Sequence, residues 1–189
     1  MYIDIQDNNQ NNLNENSRLI TKYIVKSMSQ ITENLYLGNI YDAQNINKIL
    51  KLGIKKVLSL ILDKQLLSYP QEIEHKIIYI DDFPSENIIQ YFGECLLFID
   101  DNKKILVHCV AGASRSATIV IAYMMWKNQL EFKEAITYVK QIRPIINPNY
   151  GFEKQLKMFD ELLKKNKYNI NSINFKEIKY PRFFEECCY

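Results

Sequence analysis

The residues best placed to do chemistry in this chain form one string, His108-Cys109-Val110-Ala111-Gly112-Ala113-Ser114-Arg115-Ser116, which sets a cysteine and an arginine six positions apart with mostly small residues between them. The run before it, Lys104-Ile105-Leu106-Val107, reads as a strand, and the apolar run 117–126 reads as a buried helix. A short loop between strand and helix can aim several backbone N–H groups at one anion, because a helix N-terminus leaves its first amides unbonded and carries partial positive charge. The spacing predicts a phosphate cradle contributed by Val110, Ala111, Gly112, Ala113, Ser114 and Arg115, with Gly112 permitting close backbone approach.

A thiol in such a place ionises readily: at helix N-termini and beside cations the thiol pKa falls from about 8.5 to roughly 3.5–7.5. Cys109 is therefore the expected nucleophile. Arg115 offers a planar fork that meets two phosphate oxygens at once, suited to binding substrate and the transition state. Ser116 places a hydroxyl where it can donate to the sulfur and assist thiolate departure in a second step. Such a displacement also needs an acid for the departing oxygen and later a base for water. Asp81 and Asp82, directly after the apolar run Ile77-Ile78-Tyr79-Ile80, are the candidates.

The string resembles the signature of the dual-specificity branch of the cysteine-dependent protein tyrosine phosphatases, His-Cys-x-x-Gly-x-x-Arg-Ser/Thr. The resemblance runs over residues 30–165. Ile31-Thr32-Glu33-Asn34-Leu35-Tyr36-Leu37-Gly38 is similar to the family's opening strand, Gly53-Ile54-Lys55-Lys56-Val57-Leu58 to its second, and Asn147-Pro148-Asn149-Tyr150-Gly151-Phe152 to the segment that begins its last helix. The resemblance implies a protein tyrosine phosphatase-like α/β fold and metal-free hydrolysis of phosphoesters through a phosphocysteine, with no cofactor and a phosphorylated protein as partner. It also implies Asp82 as general acid and base, since Asp82-Phe83-Pro84-Ser85-Glu86-Asn87-Ile88 fits the family's Asp-x-x-Ser-x-Asn-aliphatic frame. Asp82 lies 27 positions before Cys109, closer than is usual in the family, and the shortening falls in Asp100-Asp101-Asn102-Lys103-Lys104. His108 matches a histidine that orders the loop by hydrogen bonds and helps set the cysteine's ionisation. Asn149 matches an asparagine that steadies the loop, although a helix cap followed by a first turn would explain it equally. His75 has no partner motif and is expected at the surface.

The elements that must position these residues follow from periodicity. Strands are expected near 34–37, 54–60, 75–80 and 104–107, with helices near 42–51, 86–100, 117–126, 131–143 and 150–165. Alternating strands and helices predict an α/β fold: a central, mainly parallel sheet of about five strands flanked by helices, with its ligand site at the carboxyl ends of the strands. With 189 residues, 47% of them hydrophobic and only 5 Gly and 5 Pro, the chain can bury one respectable core.

The flanks differ in composition. Residues 1–29 include an Asn/Gln-rich stretch, 7–16, expected to be a loose tail, and a segment, 17–28, able to form a short amphipathic helix. Residues 166–189 read as an exposed tail in which Ile173, Phe175 and Ile178 could pack as a flap, and Cys187 and Cys188 do not fit a four-residue prenylation box. The chain shows neither a secretory signal pattern nor an apolar run long enough to span a bilayer, and a catalytic thiol needs a reducing compartment, so a cytoplasmic setting is expected, with the nucleus as the alternative. The net charge of +2 is too small to argue for a nucleic-acid partner or a membrane surface, and neither is expected. Neutral Val110, Ala111 and Ala113 favour a singly phosphorylated side chain over a phosphoinositide or an RNA 5′ end, and the presence of Cys109, Asp82 and Arg115 argues against an inactive phospho-binding module.

Overall fold

The computed structural model describes residues 27–62 and 67–180. Runs rich in Leu, Ile and Val form a five-stranded sheet in the order β1 (Ser29–Gln30), β2 (Leu35–Gly38), β5 (Ile105–His108), β3 (Lys56–Ile61), β4 (Glu74–Tyr79). Only the β1–β2 pair is antiparallel; the other pairs are parallel, as the alternation of strands and helices requires. The helices are α1 (Ile40–Gln44), α2 (Ile46–Lys51), α3 (Phe92–Ile99), α4 (Arg115–Asn128), α5 (Phe132–Ile142) and α6 (Tyr150–Lys165).

Period-two alternation in the strands builds a core on each face. Leu35, Leu37, Leu58, Leu60, Ile105 and Val107 point into the larger core, which they share with α3 to α6. Tyr36, Val57 and Leu106 point the other way and pack with Ala43 and Ile49 of α1 and α2. Helix α4 is apolar around most of its circumference and runs through the larger core, which anchors the loop preceding it. The register pairs Gly38 and Ser59 with His108, so β2 and β3 flank the strand end from which that loop departs.

Several boundaries move, each for a local reason. The expected helix 42–51 divides at Asn45, which ends α1 and caps α2 by accepting from the Lys48 N–H at 3.0 Å. In place of a helix from residue 86, a 3-10 turn (Ile88–Tyr91) precedes α3, and the buried Gln155 side chain of α6 accepts the Ile89 N–H at 3.0 Å. Helix α4 extends at both ends of the expected 117–126. Ile31 begins a turn rather than a strand, its N–H donating to the Leu35 carbonyl at 2.7 Å.

Residues 166–180 lie on the core through two 3-10 turns, Ile170–Ser172 and Phe175–Glu177. Phe175 is buried against Gly93, where an added Cβ would lie 2.7 Å from its ring, and Asn87 donates to the Ile178 carbonyl at 2.8 Å. Phe175→Ala is expected to lower unfolding stability by about 3 kcal/mol, read from the denaturant midpoint; a loss under about 0.5 kcal/mol would show that this segment contributes nothing to the fold. The expected tail 7–16, nearly all of the segment 17–28, and Cys187 and Cys188 lie outside the described residues. No helix among the described residues is long and apolar enough to cross a membrane.

Candidate active site

The loop between β5 and α4 is held from outside by its carbonyls. Ile40 N–H donates to the Val110 carbonyl at 3.1 Å, Arg143 Nε to that of Gly112 at 2.9 Å, and Asn147 N–H to that of Ala113 at 2.8 Å. Because the C=O and N–H of a trans peptide point in opposite directions, fixing these three carbonyls outward turns the amides of Ala111, Ala113 and Ser114 inward. Cys109 lies at the floor with 1% of its surface exposed, and its Sγ accepts from the Gly112 N–H at 3.2 Å and the Ser116 hydroxyl at 3.1 Å. Gly112 has φ +70°, and an added Cβ would stand 2.3 Å from the Gly38 carbonyl oxygen. Gly112→Ala is therefore expected to displace the loop and lower kcat/KM for an aryl phosphate by about 100-fold. A drop under about three-fold would show that the loop tolerates the extra atom.

Arg115, buried at the first position of α4, donates through Nη1 to the Ile80 carbonyl at 3.1 Å, while its Nε has no hydrogen-bond partner and stands 4.0 Å from Asp82 Oδ2. This sets the Nε edge of the guanidinium beside Asp82. Asp82 is suspended there: its Oδ1 accepts from the Ser114 hydroxyl at 2.5 Å and from Asn149 Nδ2 at 2.9 Å. Asp81, by contrast, turns back to accept its neighbour's N–H at 2.7 Å. Of the two aspartates, the structure brings Asp82 to the loop. Ser114 and Asn149 do more than the sequence suggests. The Ser114 side chain, rather than capping α4, links Asp82 to the Asn149 N–H at 3.1 Å. Asn149 caps α6 through the Phe152 N–H at 3.0 Å and holds Asp82 with its other side-chain atom, so capping alone does not account for it.

His108 is fully buried beneath the loop, with Nδ1 3.2 Å from the Cys109 carbonyl oxygen and Nε2 2.6 Å from Ser59 Oγ. Burial pulls its pKa down to about 4, so the ring is neutral at physiological pH. His75 is not the surface residue expected: it is half-buried, with Nε2 2.8 Å from the same Ser59 oxygen. Arg143 is the largest omission from the sequence reading. It is completely buried, supports Gly112, and ties the loop to the start of the described chain by donating to the Ser27 carbonyl at 2.8 Å. An arginine just after an amphipathic helix reads as a solvated end, and only the position of its partners reveals the brace. The second described free cysteine, Cys95, is buried with its thiol pushed up by desolvation, which makes it a core residue.

Residues 35–161 match the family model described as dual specificity phosphatase, catalytic domain. The chain belongs to the dual specificity phosphatase family. It is 34% identical over 140 residues to dual specificity protein phosphatase 1 of Arabidopsis thaliana, covering 72% of this chain and 70% of that protein. It is 36% identical over 136 residues to dual specificity protein phosphatase 22-A of Danio rerio, covering 70% and 64%. Among solved structures, DUSP15 aligns with a TM-score of 0.71 at 34% identity, over 76% of this chain and 93% of that one. The chain spans only 37% of a probable dual specificity protein phosphatase of Dictyostelium discoideum, so relatives differ widely in what surrounds this dual specificity phosphatase catalytic domain. Membership makes the chain a hydrolase of the protein phosphatase type, with the α/β architecture expected of it.

Proposed function

We propose that this dual specificity phosphatase hydrolyses phosphotyrosine and phosphoserine or phosphothreonine on proteins through a phosphocysteine at Cys109, without a metal ion. The suspension of Asp82 on Ser114 of the phosphate loop and on Asn149, beside the guanidinium of Arg115, carries this reading. Cys109 Sγ attacks phosphorus in line, while Arg115 and the inward amides hold the non-bridging oxygens as charge builds on them. Asp82 gives its proton to the departing oxygen. In the second step Asp82, now a carboxylate, takes a proton from the water that attacks phosphocysteine, and the S–P electron pair returns to Cys109. The Ser116 hydroxyl, already donating to that sulfur, stabilises its negative charge as it leaves.

Residues 30–165 are the proposed catalytic unit, and the need to keep Cys109 reduced supports a cytoplasmic or nuclear setting. Neutral Val110, Ala111 and Ala113 support a singly phosphorylated substrate. The test is phosphate release from para-nitrophenyl phosphate, then from phosphotyrosine and phosphothreonine peptides, all in excess chelator. Turnover of aryl phosphate and peptides is expected. Activity that appears only with added divalent metal overturns the covalent mechanism, and hydrolysis confined to phosphoinositides or RNA 5′ ends overturns the substrate class.

A further inference from the structure

Ser59, in the middle of β3, touches two histidines from the strands on either side, His75 of β4 and His108 of β5. The contacts form a line from the half-buried His75 to the peptide of Cys109, and hydrogen-bond chemistry gives the line a direction. The Cys109 carbonyl can only accept, so His108 Nδ1, 3.2 Å away, carries a proton. Burial keeps His108 neutral, so its Nε2 is bare and must accept. Ser59 has one proton and gives it to that nitrogen across 2.6 Å. Only lone pairs then remain on the Ser59 oxygen, so His75 Nε2, at 2.8 Å, must be the donor.

We propose that His75 is a positioning residue for the phosphate loop: its Nε2–H engages the Ser59 oxygen, commits the Ser59 proton to His108, and so locks His108 with Nδ1–H on the Cys109 carbonyl. Reversing the line would place a bare Nδ1 against the carbonyl oxygen, two acceptors facing each other under the nucleophile. The His75 ring is itself held in place. Tyr69 packs edge-on against it at 4.7 Å between centroids and is pinned by donating to the Ala43 carbonyl at 2.9 Å. The role extends the proposed function, because it matters only if the loop that His108 supports binds the reacting phosphate.

The chain contains two histidines, so the nitrogen spectrum of its imidazoles shows two rings, and His75→Phe leaves His108 alone. In the unsubstituted protein His108 is expected as a neutral ring protonated on Nδ1. His75→Phe keeps the ring packing but removes the donor; His108 is then expected as a mixture of tautomers, with kcat/KM for aryl phosphate down about five-fold. His75→Gln, which offers an N–H in place of Nε2, should restore the single tautomer and a rate within about two-fold of the original. A His108 ring protonated on Nε2 in the unsubstituted protein overturns the proposal without any variant, even if His75→Phe fails to fold. So does a His75→Phe protein with unchanged tautomer and rate, or a glutamine variant no better than phenylalanine. Complete lack of hydrolysis by the unsubstituted protein overturns the proposed function, whereas the wrong tautomer in an active protein overturns only the role of His75.

Discussion

Cys109→Ser is expected to abolish hydrolysis of an aryl phosphate, lowering kcat by on the order of 10⁴-fold or more while the folded structure persists. The substitution exchanges one small buried side chain for another. The loop keeps its brace, because Ile40, Arg143 and Asn147 hold its carbonyls independently of the sulfur. What is lost is the atom that attacks: a serine hydroxyl does not ionise near neutral pH as a thiol in this cradle does, and the groups bonded to Cys109 Sγ, the Gly112 N–H and the Ser116 hydroxyl, are donors rather than bases. Steady-state kinetics and a thermal melt check the two halves separately. Retention of more than about one part in a hundred of the activity by a pure, folded variant would mean that another group is the nucleophile.

Asp82→Ala should lower kcat by about 10²- to 10⁴-fold and leave KM within a few-fold, because the carboxyl acts on the departing oxygen rather than on the bound phosphoryl group. The loss should grow with the basicity of the leaving group. An alkyl phosphate of the phosphothreonine kind depends fully on protonation as its oxygen departs, whereas para-nitrophenolate leaves nearly unaided. Measuring both substrates therefore separates a missing acid from a damaged loop, which would slow them equally. Asp81→Ala provides the comparison: Asp81 only accepts the Asp82 N–H at 2.7 Å, and its removal is expected to cost less than Asp82→Ala on both substrates. A larger effect at Asp81 would reverse the assignment of the acid.

Much of the machinery was legible in the linear chain because it is local. Cys109, Gly112, Arg115 and Ser116 lie within eight consecutive residues, and a loop that turns from strand into helix constrains its own backbone. The alternation of strands with helices along the chain likewise announces two covered faces of the sheet before any contact is known. Less visible were features that depend on side chains arriving from elsewhere. Asn45 split a continuous apolar pattern by capping locally, a competition between side chain and helix that periodicity does not weigh. The flap formed by residues 166–180 was visible only as three apolar residues in a polar stretch, because its value depends on the open surface beside Gly93.

The sequence by itself determined which atoms could do the chemistry and that they would gather at the carboxyl ends of the strands, since residue type sets reactivity and local backbone geometry sets the cradle. Only the folded chain decided how those atoms are held. Arg143 behind Gly112, Ser114 and Asn149 on Asp82, and Ser59 between two histidines are pairings across 31, 32, 67, 16 and 49 positions. Such contacts satisfy buried polar groups whose partners are fixed by the packing of strands and helices, and no spacing rule along the chain encodes them.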